Sequence, residues 1–428
     1  MKARLLRLLR SAGLKHGLIM GVCMVSAGAL DYAASVIAGR LLAPVQYGTY
    51  VSVMAILQVV VLLSITLRMV VGFYTAELSA RDDSLDRLGA FVPRVWRWSW
   101  KWGLLGTGAM ILVTPLMATL LRLPNAWPLW AASPMVLLLF LRESNFGTLQ
   151  GTQSFSGLGL AQVAGAFMRL VFSIGLIWAG WQAAGAVFAQ PLGSAFAVGL
   201  TLWWLWPYFR NPGKASGQQI CWRYSAATLL GLAVFGVLTN LDALFVKRFF
   251  SPQIAGDYGP VVTLSKVSLF LPWAVGIVLF PKVAQRQAEG KDPKPILLLA
   301  LATAVLPGLG ITAIYALFPG WFVRTIFTAA YGDPGIVLGL ASLAASLYAG
   351  LFIWLNYSLS LERRTFVYAL IGVLIWQGVG MYLFGRTNLI HMTLVMVSAG
   401  LAGNVAGFAT SWAPTPAPEP VRAAAIGE

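Results

Sequence analysis

Charge is scarce in this sequence. Asp, Glu, Lys and Arg together make up 10% of its 428 residues, whereas 58% are hydrophobic and the mean hydropathy is +0.77. A soluble chain of this length needs far more charge to cover its surface, so a soluble globular protein is excluded. Cysteine is almost missing as well. Cys23 and Cys221 are the only two; they build no disulfide framework and are expected to fill packing positions in a membrane. His16 and His391 stand alone, and without a Cys/His cluster no metal site is expected. No GxxxxGK[ST] phosphate loop occurs, and the glycines of GLGLAQVAG (residues 157–165) lack the lysine such a loop needs. ATP hydrolysis by this chain is therefore not expected, nor is a cofactor. A proton or sodium gradient, the membrane potential or consumption of product remain as sources of drive. Short segments of alternating hydrophobicity, the mark of a membrane β-barrel, are also missing.

What the chain does contain is a series of apolar runs of about 20 residues or more, the length that crosses a bilayer core. Lipid-exposed backbone must satisfy its own hydrogen bonds, so the spans are helices. Twelve are read, over residues 14–41, 47–78, 95–121, 127–149, 157–181, 185–209, 224–250, 258–285, 295–318, 335–361, 365–384 and 389–410. The expectation is an all-α polytopic membrane protein. Residues 1–210 form an N-terminal six-helix bundle, 211–223 a cytoplasmic linker and 224–410 a C-terminal six-helix bundle. The Pro/Ala-rich residues 411–428 are expected to be a disordered tail. The first 30 residues have the basic head and small residues of a signal peptide. Their apolar stretch runs on to Leu41, longer than a signal core, so a retained first span is expected.

Basic residues set the orientation. The gaps after odd-numbered spans hold only Arg40, Arg122, Lys247, Arg248, Arg324 and Arg386, while the other side carries most of the remaining Lys and Arg. An excess of Lys and Arg marks the cytoplasmic side, so both termini are expected there, with topology explaining most of the net charge of +16. The aromatic clusters WRWSWKW (residues 96–102) and WWLWPYF (203–209) then fall at the cytoplasmic interface. An anchoring belt explains them better than a sugar-stacking platform.

One phrase is written twice. GRLLAPVQYGTYV (residues 39–51) and KRFFSPQIAGDYG (247–259) share Arg40/Arg248, Pro44/Pro252, Gly48/Gly256 and Tyr50/Tyr258, all at an offset of 208. Each copy joins an odd span to the next. Six spans, an even number, separate them, so the two halves share one orientation and are related by an axis along the membrane normal. Locally, the arginines can snorkel, the prolines stop a helix, the glycines allow a tight turn or close packing, and the tyrosines suit an outer interface.

The phrases RLLAPVQYGTYVSVMAIL, NLDALFVKRFFSPQIAGDYGPVVTLSKV and LFPKVA resemble the polysaccharide flippases (O-antigen type) of the multidrug/oligosaccharidyl-lipid/polysaccharide exporter superfamily. The stretch RESNFGTLQGTQSFSGLGLAQVAGAFMRL, with Gly151, Phe155 and Arg169, is similar to that family's fourth-to-fifth span region. The resemblance covers most of spans one to eight and weakens from span nine. It implies two six-helix bundles in a V and export of a polyprenyl-diphosphate-linked oligosaccharide across a bacterial inner membrane. Membrane lipids, a polysaccharide polymerase and glycosyltransferases are the implied company, with no nucleic acid. Many relatives have fourteen spans, so a groove made by an extra pair is missing from a chain of twelve.

Charges inside spans are costly and usually face a cavity or a partner. Arg68, Arg169 and Lys266 are the candidates for a cationic cavity that holds a diphosphate, since Arg binds phosphate oxygens in a fork. Asp31 and Asp242 lie in spans one and seven, the equivalent helices of the two halves; they are read either as coupling acids or as ties between helices. Arg142 and Glu143 reach an interface or pair with neighbours, and Asn240 makes a packing hydrogen bond; these three are secondary candidates. Two other classes are weighed. A multidrug/cation antiporter of the same superfamily would favour an acidic, aromatic cavity, whereas the intramembrane excess here is basic. A membrane oligosaccharide polymerase or ligase would need catalytic residues in a sizeable outer loop, and no outer gap offers them beyond Asp257 and Asp333. An enzyme is not expected.

Overall fold

The computed structural model describes residues 12–80, 83–211, 213, 225–269, 279, 283, 286, 292–361 and 363–412. Most of the expected linker, the second half of the expected eighth span, most of LFPKVA, Cys221 and the C-terminal tail lie outside the described residues. Among the described residues every regular element is helical. The first half runs α1 (Ala12–Leu41), α2 (Pro44–Ser79), α3 (Ser84–Leu120), α4 (Trp127–Ala132), α5 (Pro134–Gly151), α6 (Phe155–Leu176) and α7 (Gln182–Arg210). The second runs α8 (Ser225–Leu238), α9 (Leu241–Phe249), α10 (Pro252–Ser265), α11 (Lys294–Leu317), α12 (Pro319–Ile326), α13 (Ile336–Ser360), α14 (Thr365–Phe384) and α15 (Leu389–Trp412).

Local chemistry sets these boundaries. Pro44, Pro134, Pro252 and Pro319 each open a helix, at the position where a missing N–H costs nothing and a fixed φ helps. Ser251 caps α10 by accepting from the Ile254 N–H at 3.3 Å. By length and hydropathy, eight helices among the described residues can cross a membrane, or nine when α8 and α9, bent by 42°, count as one broken span. One of the eight, Phe155–Arg210, is 56 residues long; at about 1.5 Å per residue it would run far beyond one bilayer core. It breaks at a π-turn, Ile177–Trp181, where Gly180 takes φ 88° and Gln182 φ 47°. α6 and α7 then fold back on each other. A carbon added at Gly165 would lie 3.1 Å from the Gly193 carbonyl oxygen, so small residues bring the two backbones together. Counting α6 and α7 separately, α8–α9 as one broken pass and α4–α5 as the fourth gives eleven passes among the described residues, and α10 stands at the start of the expected eighth.

The packing repeats in the two halves. Number the passes one to twelve. In the first half, pass one packs on five, two on four, three on four, four on six and five on six. In the second, seven packs on eleven, eight on ten, nine on ten, ten on twelve and eleven on twelve. Each pairing maps onto its counterpart by adding six, which is the signature of two bundles of common descent and the same orientation. The bundles form the V-shaped exporter fold, and they meet along α2, which lies against α8, α9 and α10.

The repeated phrase is the centre of that seam. A carbon added at Gly48 would sit 2.7 Å from the Ala255 carbonyl oxygen, and one at Gly256 would sit closer still to the Pro44 carbonyl. Each copy of the phrase therefore packs on the other, across the pseudo-symmetry axis, with glycine where the backbones touch. Of the two roles read for these glycines, close packing is the one they take. Tyr47 Oη and Thr263 Oγ1, 2.7 Å apart, and the Tyr331 hydroxyl donating to the Gly39 carbonyl at 2.6 Å add polar ties. Arg40 reaches over from α1 and donates to the Thr325 and Ile326 carbonyls, at 2.6 and 2.8 Å, at the end of α12. We call this end of the molecule the hairpin face.

Candidate functional site

Among the described residues, three charged clusters lie inside the bundles. In the first, Arg169 on α6 donates from Nη1 to Asp31 Oδ1 on α1 at 2.6 Å and from Nη2 to the Tyr50 hydroxyl on α2 at 3.1 Å. Ser35, one turn beyond Asp31, stands 3.3 Å from the same hydroxyl. Arg169 is buried, whereas 46% of the Asp31 side chain remains accessible. One arginine thus ties three helices and keeps a carboxylate open on one side.

The second cluster centres on Glu143, whose side chain is fully buried. Its Oε2 accepts from Arg68 Nε at 2.6 Å, and its Oε1 accepts from Arg142 Nε at 3.0 Å and Nη2 at 2.9 Å. Both guanidinium groups also lie over the Phe146 ring, at 4.9 and 5.8 Å, a cation–π arrangement. Arg142 Nη1 donates to Ser194 on α7 at 3.3 Å. Two bases share one acid, so the cluster keeps a net positive charge.

The third cluster belongs to the second bundle. Lys266, at the start of a 3-10 turn after α10, donates to Asn240 Oδ1 at 2.6 Å. Asn240 lies in the break between α8 and α9 and uses its Nδ2 on the Gly236 carbonyl at 2.8 Å. The broken helix therefore exposes an amide to the lysine and is tied by the same side chain. Asp242, two residues on, accepts from the Tyr258 hydroxyl at 3.0 Å with Oδ2, while its buried Oδ1 has no hydrogen-bond partner.

The cavity candidates Arg68, Arg169 and Lys266 are thus in three separate settings. Arg68 joins Arg142 and Glu143, Arg169 joins Asp31, and Lys266 joins Asn240. Three contributors were not singled out from sequence. By sequence Tyr50 and Tyr258 suit an outer interface. They are instead only 3% and 2% exposed, and each bonds to a charged group of its own bundle. Their identical place in the repeated phrase was the available signal. By sequence Lys247 is a gap residue. It is buried, and its Nζ donates to Thr49 Oγ1 across the seam at 2.9 Å. Its neighbour Arg248 masked it, since two adjacent bases at a helix end read as a solvated pair.

Five bases (Arg68, Arg142, Arg169, Lys247, Lys266) face three acids (Asp31, Glu143, Asp242) in these interiors. The difference is an excess of two positive charges, 5 − 3, inside a low-dielectric region where each counts heavily.

The architecture has known counterparts. A multidrug resistance MATE family transporter of the MOP superfamily, in an inward-facing conformation, superposes with a TM-score of 0.68 at 13% identity, covering 90% of this chain and 98% of that one. The lipid II flippase MurJ, in an inward closed conformation, gives 0.67 at 11% identity, covering 91% and 87%. At such identities the likeness is one of fold. By sequence, uncharacterized proteins of Mycobacterium tuberculosis and Mycobacterium bovis are 24% identical over 330 residues, 67% of this chain and 74% of each relative. The family model described as "Polysaccharide biosynthesis protein" matches residues 37–334. That match begins two residues before the first copy of the repeated phrase and takes in all three charged clusters except Asp31 and Ser35. This multi-pass membrane protein therefore belongs to the polysaccharide biosynthesis protein family.

Proposed function

We propose that the chain is a flippase. It moves a polyprenyl-diphosphate-linked oligosaccharide across the bacterial cytoplasmic membrane by alternating access between its two bundles. Family membership supports the polysaccharide part of this reading. The observation that carries the substrate class is the excess of two positive charges within the bundles, matched in sign to a diphosphate. A cation antiporter would be served by the opposite sign.

In this reading the hairpin face is the outer one, because its gaps are poor in Lys and Arg. The seam through Gly48 and Gly256 closes that side. Arg169 and Lys266 take the phosphate oxygens from one bundle each, with Arg68 and Arg142 as the next bases towards the cytoplasm. Asp31 and Asn240 hold those bases in the empty state and are displaced or shared on loading. Asp31 and Asp242 are the groups available to a coupling proton or sodium ion.

Purified protein in vesicles carrying a fluorescent polyprenyl-diphosphate oligosaccharide tests the reading. Arg169→Ala and Lys266→Ala are each expected to slow leaflet transfer by roughly tenfold or more, since a charge-assisted hydrogen bond to phosphate contributes about 1.5–3 kcal/mol. Transfer at the wild-type rate in both variants, with melting unchanged, would contradict the assignment.

A further inference from the structure

The hairpin face of the first bundle holds a cavity of about 390 Å³, within the roughly 300–1,000 Å³ of small-molecule sites. Three gaps converge on it: the start of α2 with Gln46 and Thr49, the α3–α4 loop with Asn125 leading to Trp127, and the turn into α7 with Trp181 and Gln182. No charged side chain lines it. We infer that this cavity is a saccharide site, which receives an uncharged pyranose unit of the transported glycan on the outer side. The inference rests on the flippase reading and extends it to a second, sugar-reading subsite.

The lining fits that chemistry in kind and in placement. Tryptophan offers a large apolar face with a polar edge, and a pyranose ring presents a face of C–H groups between equatorial hydroxyls. Three carboxamides, from Gln46, Asn125 and Gln182, each offer a donor and an acceptor side by side, which is what neighbouring hydroxyls need. The two indoles are accessible, Trp127 at 65% and Trp181 at 53%, yet their rings are held. Trp127 meets Trp130 edge-on at 5.6 Å, and Trp181 stacks on Phe188 at 6.1 Å. A plain membrane-anchoring belt does not call for three amides between its tryptophans.

The corresponding place in the second bundle is built differently. Thr49 corresponds to Asp257 at the offset of 208. Asp257 Oδ1 accepts from the backbone N–H of Gly332 at 3.2 Å, so the equivalent loop is tied to the position that Thr49 holds in the first bundle. In the first bundle Thr49 bonds to the Val45 carbonyl and to Lys247 rather than to the α3–α4 loop, and the cavity lies there. The site is also joined to the seam: Thr49, on its wall, accepts from Lys247 of the other bundle, and Gln46 lies two residues before Gly48. A sugar seated here touches the helix whose packing holds the outer side shut.

Saturation-transfer NMR on the detergent-solubilised full-length protein tests the inference. The probes are three free oligosaccharides: cellotetraose, mannotetraose and chitotetraose. At least one is expected to receive saturation at its ring C–H protons, and Trp127→Ala and Asn125→Ala are each expected to weaken that binding roughly tenfold. Both positions are exposed, so neither change threatens folding, and Trp203→Ala on the opposite face is expected to leave binding unchanged. No saturation of any of the three probes, or equal binding in the two cavity variants, overturns the site. Free-sugar binding needs no transport. A protein that binds sugar without moving lipid contradicts the flippase reading alone, and one that moves lipid without binding sugar contradicts this inference alone.

Discussion

Glu143→Ala is expected to lower the thermal midpoint of the detergent-solubilised protein by about 3–6 °C, because breaking a buried pair costs about 3–5 kcal/mol. The carboxylate is fully buried and is the hydrogen-bonded anion between Arg68 and Arg142. Removing it leaves two guanidinium groups facing one another over Phe146. Glu143→Gln keeps the shape and one acceptor, and its loss should be intermediate. Replacing the whole cluster, as Arg68→Met with Arg142→Met and Glu143→Leu, should restore most of the stability, since apolar groups of similar volume often substitute for a buried ionic cluster. The same triple variant should transfer substrate poorly if the two arginines serve the diphosphate. A melting curve of Glu143→Ala that overlays wild type would show that the cluster does not hold α2, α5 and α7 together.

Leucine at Gly48 or Gly256 is expected to open the hairpin face. An ordinary Cβ there already meets backbone atoms of the other bundle, and those atoms cannot move aside as a side-chain tip can. Overpacking of this kind costs about 1–3 kcal/mol, and it acts on the closed arrangement alone. The ratio of closed to open should therefore fall by roughly tenfold for each 1.4 kcal/mol. The readout is labelling of Thr263→Cys by a membrane-impermeant maleimide, in a background where Cys23 and Cys221 are Ser. Thr263 bonds to Tyr47 across the seam, so its reactivity should rise about tenfold with Gly256→Leu. Unchanged labelling would mean that the seam is not a gate.

The sequence was most legible where chemistry is local and repeated. Hydropathy located the passes and the 208-residue offset revealed the halves, whereas Pro44 and Pro252, which read from sequence as helix stops, open the helices that follow. Buried charge was legible too, because a base or acid within an apolar run is conspicuous wherever it points. Which charge meets which was not. Glu143 meets Arg68 from 75 positions away, Asp31 meets Arg169 from 138, and Lys247 meets Thr49 from 198. Those pairings depend on how helices cross, and no single-chain periodicity reports a crossing. Tyr50 and Tyr258 show the limit in another form. A tyrosine near a helix end suits a membrane interface and a buried hydrogen bond equally well by composition. Only the burial decides, and here it gives both residues to the interior.

The repeated phrase gains a physical meaning from the fold. Its two copies are not merely equivalent; they are in contact, and each supplies the glycine the other needs. An even number of passes between them gives both the same orientation, and the pseudo-two-fold axis brings α2 and α10 together. Lys247 bonds across the seam to Thr49 of α2, and Tyr50 on the same helix accepts from Arg169.

The most direct measurement compares two substrates that differ only at the head group. Vesicles containing the protein receive a polyprenyl-diphosphate oligosaccharide or the same oligosaccharide joined to the polyprenol without the diphosphate, and leaflet transfer is followed for each. The account predicts protein-dependent transfer of the diphosphate lipid, with the uncharged lipid moving no faster than in protein-free vesicles. Equal transfer of both, or acceleration of neither, would contradict it.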